Sequence, residues 1–223
     1  NAITVRLPAN IAGNAIELVG QSDVNIRQRS SDIIAVEVMD EDGGGILFLD
    51  LETAQLGSAD INFYNNGAME LSPSWWPDGS RLVYVSDLTG ELQIYMLDLV
   101  TRATVQITNV PGGASMPDIS PDGGSLAFVS LVNDEWQLYV APIPEDLEVA
   151  PITIMDARRI SEDDSAQHIL PYWSPDGTQL LASQNTADGL VRMMIFDPSL
   201  VTPAEMIGPF GSVAFGWTHD GSG

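Results

Sequence analysis

His168 and His219 are the only histidines in the chain, and there is no cysteine. A serine hydrolase built here would need one of them as base, beside a serine on a Gly-x-Ser-x-Gly elbow. The nearest match is Gly123-Gly124-Ser125-Leu126-Ala127, which lacks the final glycine and follows a Pro-Asp pair typical of a hairpin turn. It reads as a turn. His168 lies just before Pro171, and His219 occupies a place where other segments have proline. Neither has the neighbours of a catalytic triad, and both read as loop residues.

Carboxylates are far more abundant. Asp40-Glu41-Asp42-Gly43 and Ser161-Glu162-Asp163-Asp164 crowd them into short loops, but neither continues into the alternating oxygen ligands of a calcium loop. Solvated hairpin charge is the simpler reading. Asp78, Asp122, Asp176 and Asp220 each precede a glycine, the place from which a side chain caps turn amides. The expected catalytic, cofactor-binding and metal sites are therefore none. Aromatic stacking is the remaining ligand chemistry. Trp76, Tyr172, Trp136 and Tyr64 are the first places to look for it, although each could equally cover a strand edge.

The elements that position these residues follow from a repeat. Trp76-Pro77-Asp78-Gly79, Ser120-Pro121-Asp122-Gly123, Ser174-Pro175-Asp176-Gly177 and the degraded Thr218-His219-Asp220-Gly221 recur at intervals of 44, 54 and 44 residues. That is the length of one four-stranded propeller blade, with an insertion between Val140 and Tyr172 accounting for the 54-residue interval. Trp75, Ile119, Trp173 and Trp217 stand three positions before each aspartate and are expected in the core. After the turn come runs apolar on both faces, such as Leu82-Val83-Tyr84-Val85 and Leu126-Ala127-Phe128-Val129, as a strand with a neighbour on each side requires. A polar hairpin, a third strand and a weak outer strand (104–108 in one unit) complete each unit.

Read backwards, Ile33-Ile34-Ala35-Val36 and Ile46-Leu47-Phe48-Leu49 are strands of a degenerate unit whose turn has decayed to Gln28-Arg29-Ser30-Ser31. The expected organisation is all-β. Residues 1–20 are strands of a preceding or closing blade, 21–62 a degenerate blade, 63–110 a blade, 111–165 a blade with an insertion and 166–210 a blade. Residues 211–223 are the first strand of a further or closing blade. Either the ends close the ring together, or the chain is a fragment of a longer propeller; the missing initiator methionine favours a fragment. The insertion, with Pro142, Pro144, Glu145 and Asp146, is expected to project from the ring.

The units 73–108 and 171–207, each with Trp-x-Pro-Asp-Gly or its near equivalent and an Ile-Tyr-Met-Leu-Asp-type third strand, resemble TolB-type, or WD40-like, propeller repeats over roughly residues 22–221. The resemblance implies a β-propeller. It leaves function open among periplasmic translocation proteins, the propeller halves of prolyl-oligopeptidase-type peptidases and other surface proteins.

Composition narrows the partners. The chain has 223 residues, 44% hydrophobic, and a net charge of −23 from 31 acidic residues against 8 arginines. Such a field repels phosphate backbones and anionic lipid, which excludes nucleic acid as the natural partner. No apolar run reaches the length of a membrane span. Together with the resemblance, this acidic, cysteine-free chain is expected to be extracytoplasmic. Its expected role is a non-catalytic structural propeller for protein-protein interaction or self-assembly, with a basic surface on the partner. The alternative is the substrate-gating propeller of a larger serine peptidase.

Overall fold

The computed structural model describes residues 2–6, 15–19, 25–28, 33–40, 43–50, 55–57, 67–144, 151–209, 211–212 and 217. They form antiparallel sheets, each built from strands in chain order. Strands β1 (Ala2–Arg6) and β2 (Ala15–Val19) pair as a hairpin. A first sheet joins β3 (Asn25–Gln28), β4 (Ile33–Asp40), β5 (Gly43–Asp50) and β6 (Gln55–Gly57). The second joins β7 (Glu70–Trp75), β8 (Arg81–Ser86), β9 (Gln93–Asp98) and β10 (Thr104–Gln106). The third contains β11 (Ser115–Ile119), β12 (Ser125–Val132), β13 (Glu135–Pro142) and β14 (Arg158–Arg159). In the fourth are β15 (Ala166–Trp173), β16 (Leu180–Thr186), β17 (Val191–Phe196) and β18 (Glu205–Ile207). The degenerate unit is thus a four-stranded sheet like the others, and the Asp220-Gly221 turn lies outside the described residues.

The doubly apolar strands are sandwiched as their composition requires. In β8, Leu82 and Tyr84 face the first sheet with Ala35, Ile46 and Phe48, while Val83 and Val85 face the third with Leu126 and Phe128. In β12 and β13, Ala127, Leu138 and Val140 turn the other way, onto Leu180, Ala182 and Phe196. The second and third sheets therefore each contribute two apolar faces to two cores. The first strands β7, β11 and β15 also lie beside one another, which makes them the inner strands of successive blades.

The repeated turn has the geometry its residues dictate. The N–H groups of Gly79, Gly123 and Gly177 donate to the carbonyls of Trp76, Ser120 and Ser174 at 2.8, 2.8 and 2.9 Å, with the glycines at φ of +73°, +75° and +72°. Asp78, Asp122 and Asp176 each accept the backbone N–H two residues on, at 2.8, 2.9 and 3.0 Å. The hydroxyls of Ser80, Ser120 and Ser174 are the largest cause holding these carboxyls below the ordinary range. A β-carbon on Gly123 would lie 2.9 Å from Nε1 of Trp76, in the preceding blade. Gly123→Ala is therefore expected to lose about 1–3 kcal/mol, since the left-handed strain and the clash add. Gly90→Ala, at φ +93° with open space around it, carries the strain alone and should lose less in the same urea titration.

Where it is described, the insertion departs from expectation; Glu145 and Asp146 lie outside the described residues. Residues 151–157 do not project; they fold back between the second and third sheets. Ile152 donates to the carbonyl of Ile107 and accepts from the N–H of Asn109, both at 2.8 Å, in a parallel bridge beside Thr108. Its side chain is buried, and Ile143, Ile154 and Ala157 pack against the same core. The physical reason is sequence content: the isoleucines at 143, 152 and 154 find an apolar seam that a polar loop would leave open. Among the described residues no helix is long and apolar enough to cross a membrane.

Candidate interaction surface

Each inner strand is bent at the same point. The register of β7, β11 and β15 slips at Leu71/Ser74, Ser115/Asp118 and Ile169/Tyr172, where Pro73, Pro117 and Pro171 cannot donate to the ladder. The preceding residues Ser72, Met116 and Leu170 sit at φ of +49°, +51° and +55°. Left-handed non-glycine residues persist only where their surroundings over-determine them. Here the neighbouring blade does so: Glu37 Oε2 accepts the Ser72 N–H at 2.6 Å, and Met116 Sδ accepts that of Leu170 at 3.4 Å.

Asp118 links three blades. Its carboxylate accepts the Ser74 hydroxyl of the second sheet at 3.0 Å and the Trp173 N–H of the fourth at 2.7 Å. A second device fixes the crossing from one blade to the next. Buried Gln93 accepts from the Thr108 hydroxyl and the Val110 N–H, and donates to the Val110 carbonyl. Gln137 repeats this with Ser161 and the Ala166 carbonyl. The signal was present in sequence, since both glutamines stand fifteen positions after the turn aspartate. A lone glutamine in an apolar strand, however, does not announce a clamp.

His168 is not a loop residue. It lies in β15, buried, with its Nε2 3.2 Å from Nε2 of Gln184 and its ring edge-on to Phe196 at 5.7 Å between centroids. Nδ1 has no hydrogen-bond partner among the described residues, and burial pulls the imidazole down to about 4. The apolar setting holds it neutral. His219 and Tyr64 lie outside the described residues. Ser125 starts β12, and its N–H donates to the Ser120 hydroxyl at 2.9 Å, so this serine closes a hairpin.

The aromatics divide. Trp75 and Ile119 are buried, and Trp173 is partly so. Trp76 is no binding platform: it is buried, with the Arg81 guanidinium 4.3 Å from its ring centre. Tyr172 and Trp136 are partly exposed, and the Tyr172 carbonyl accepts the Trp217 indole N–H at 2.9 Å. In the 161–164 loop, Asp163 caps Ser165 while Asp164 pairs with Arg159 at 2.5 Å. Asp40 pairs with Gly43 across the β4–β5 hairpin. Among the described residues no group of three or more acidic or histidine side chains could hold a metal ion.

Sheets of four antiparallel strands, stacked through alternating apolar faces around a row of bent inner strands, define a β-propeller. The chain belongs to the TolB beta propeller domain family, whose model matches residues 29–202. A 45-residue stretch, 20% of this chain and 10% of the relative, is 47% identical to the Tol-Pal system protein TolB of Bordetella pertussis. The crystal structure of TolB from Acinetobacter baumannii is similar at a TM-score of 0.64 with 18% identity; the match covers 93% of this chain and 52% of that one. A puromycin-hydrolyzing peptidase of Mycobacterium tuberculosis is similar at 0.60 with 17% identity, over 89% of this chain and 33% of the peptidase. These likenesses in structure concern the fold alone.

Proposed function

We propose that this chain is a non-catalytic propeller that holds a protein partner, or further copies of itself, in an extracytoplasmic assembly. One observation carries the reading: the inner-strand carboxylate of Asp118 is engaged in joining blades, and no catalytic combination of nucleophile and base stands beside it among the described residues. Asp118 ties blades together, and Glu70 and His168, at equivalent places in their units, are buried with Ala114 at the intervening position. The bent inner strands leave a rigid surface for recognition rather than a nucleophile beside a base. The matched relative is named as a Tol-Pal system component, which supports a place within a multi-protein system.

A net charge of −23 favours a partner with a basic face. Affinity for a purified partner is expected to fall as salt rises from about 50 to about 500 mM, because exposed charge pairs are screened over that range. Salt-independent affinity would remove the basic face from the proposal. The isolated chain is further expected to show no turnover on ester, peptide and glycoside panels. Activity abolished by His168→Gln, in a variant that retains its fold, would replace this reading with an enzymatic one. The second reading, a substrate-gating propeller, draws on the structural likeness to the peptidase. Detection of a Gly-x-Ser-x-Gly elbow and a histidine in a longer reading frame would favour it.

A further inference from the structure

Between the second and third blades, the connection following β13 fills the seam: Ile143, Ile154 and Ala157 pack into the core that includes Val105 of β10. The next seam is built differently. The place of Val105, opposite Met96, is taken by Arg158, opposite Val140, and the place of Ile119 by Trp173. The connection following β17 is short, and its apolar residues Leu200 and Val201 are exposed rather than packed into the seam. Instead of a plug there is a notch of about 590 Å³, lined by Arg158, Trp173, Thr178, Gln179, Ser199 and Thr202 among others. That size suits a small ligand.

The lining sorts its donors and acceptors. Arg158 has five N–H donors, of which one is engaged by the Pro198 carbonyl. Thr178, Ser199 and Thr202 give their hydroxyl protons to Asp176 and Asp197, so their oxygens present lone pairs outward. Gln179 offers both kinds. Trp173 supplies an apolar ring. An apolar ring, unspent donors and hydroxyl acceptors lining one notch complement a flat aliphatic ring bearing neighbouring hydroxyls, each of which gives one hydrogen bond and takes another. The Asp197 carboxylate in the lining, the Asp176 carboxylate bonded to Thr178, and the net charge of −23 oppose an anionic ligand. We infer that the notch between the third and fourth blades binds a neutral pyranose unit, independently of the partner-binding role.

The test is a titration of the chain with methyl β-D-glucopyranoside, maltose, cellobiose and diacetylchitobiose, followed by calorimetry and by the NMR indole signal assigned to Trp173. Sodium glucuronate is the charged counterpart. At least one neutral saccharide is expected to bind in the millimolar range, and Arg158→Gln, an exposed and structurally mild change, to weaken it about tenfold. Trp173→Phe should weaken it as well. The proposal is overturned if none of the neutral sugars shifts the indole at about 50 mM, if glucuronate binds more tightly than they do, or if Arg158→Gln leaves the affinity unchanged.

Discussion

Ile152→Ala is expected to lower the unfolding free energy by about 2–5 kcal/mol, the range for truncating a fully buried aliphatic side chain. Ile152 is 1% exposed and sits in the core between the second and third blades, with its backbone bonded on both sides to residues 107 and 109. Truncation leaves a cavity that neighbours such as Ile107 and Val110 cannot close without moving the seam. Met155, three residues later and 89% exposed, is the control: Met155→Ala should change stability by less than about 0.5 kcal/mol. Urea titrations of the two variants separate a clip from a loose excursion. Equal midpoints for Ile152→Ala and the parent chain would show that the insertion contributes nothing to the seam.

The second large effect is a loss of stability on mild acidification. The folded imidazole of His168 titrates at about 4, chiefly because burial disfavours its charged form, against 6.5 when exposed. Between those values the unfolded chain holds the extra proton, so stability falls as pH is lowered from about 6.5 to about 4. The loss reaches about 3 kcal/mol below that window. Asp163 opposes this shift, whereas the positive charge of Arg159 adds to it. The turn aspartates act elsewhere on the scale. Their depressed carboxyls stabilise the fold above the ordinary carboxylate range, and that contribution is lost as pH falls through their folded values. His168→Gln should therefore flatten the unfolding free energy between pH 6.5 and 4 while leaving the steeper acid limb. A variant with the parent's slope would place the titrating group elsewhere.

The parts of this fold legible in sequence are those fixed by short-range chemistry. Pro-Asp-Gly specifies its turn through the φ values of proline and glycine and a carboxylate two residues from an amide, so the register of Asp78, Asp122 and Asp176 could be read directly. Strands apolar on both faces likewise announce two neighbours. What stayed hidden depends on residues far apart in the chain. Burial of His168 is decided by Gln184 and Phe196, and the course of the insertion by a seam some forty residues earlier. Trp76 looks like an exposed aromatic until Arg81 and the turn at Gly123 are placed around it. The inner-strand bends lie between these cases: Pro73, Pro117 and Pro171 recur visibly, but only pairing shows that the strands continue through them.

Arrays of like units ordinarily come apart from their ends, because each unit holds only its neighbours and an outer one can peel away alone. The carboxylate of Asp118 alters that arithmetic. Ser74 and Trp173 belong to different seams yet share one acceptor, so opening either seam withdraws a partner from a group that also organises the other. Loss of one blade is thereby coupled to the looseness of the blade two places away. The three blades are therefore expected to open together in unfolding, and Asp118→Ala to let them open separately.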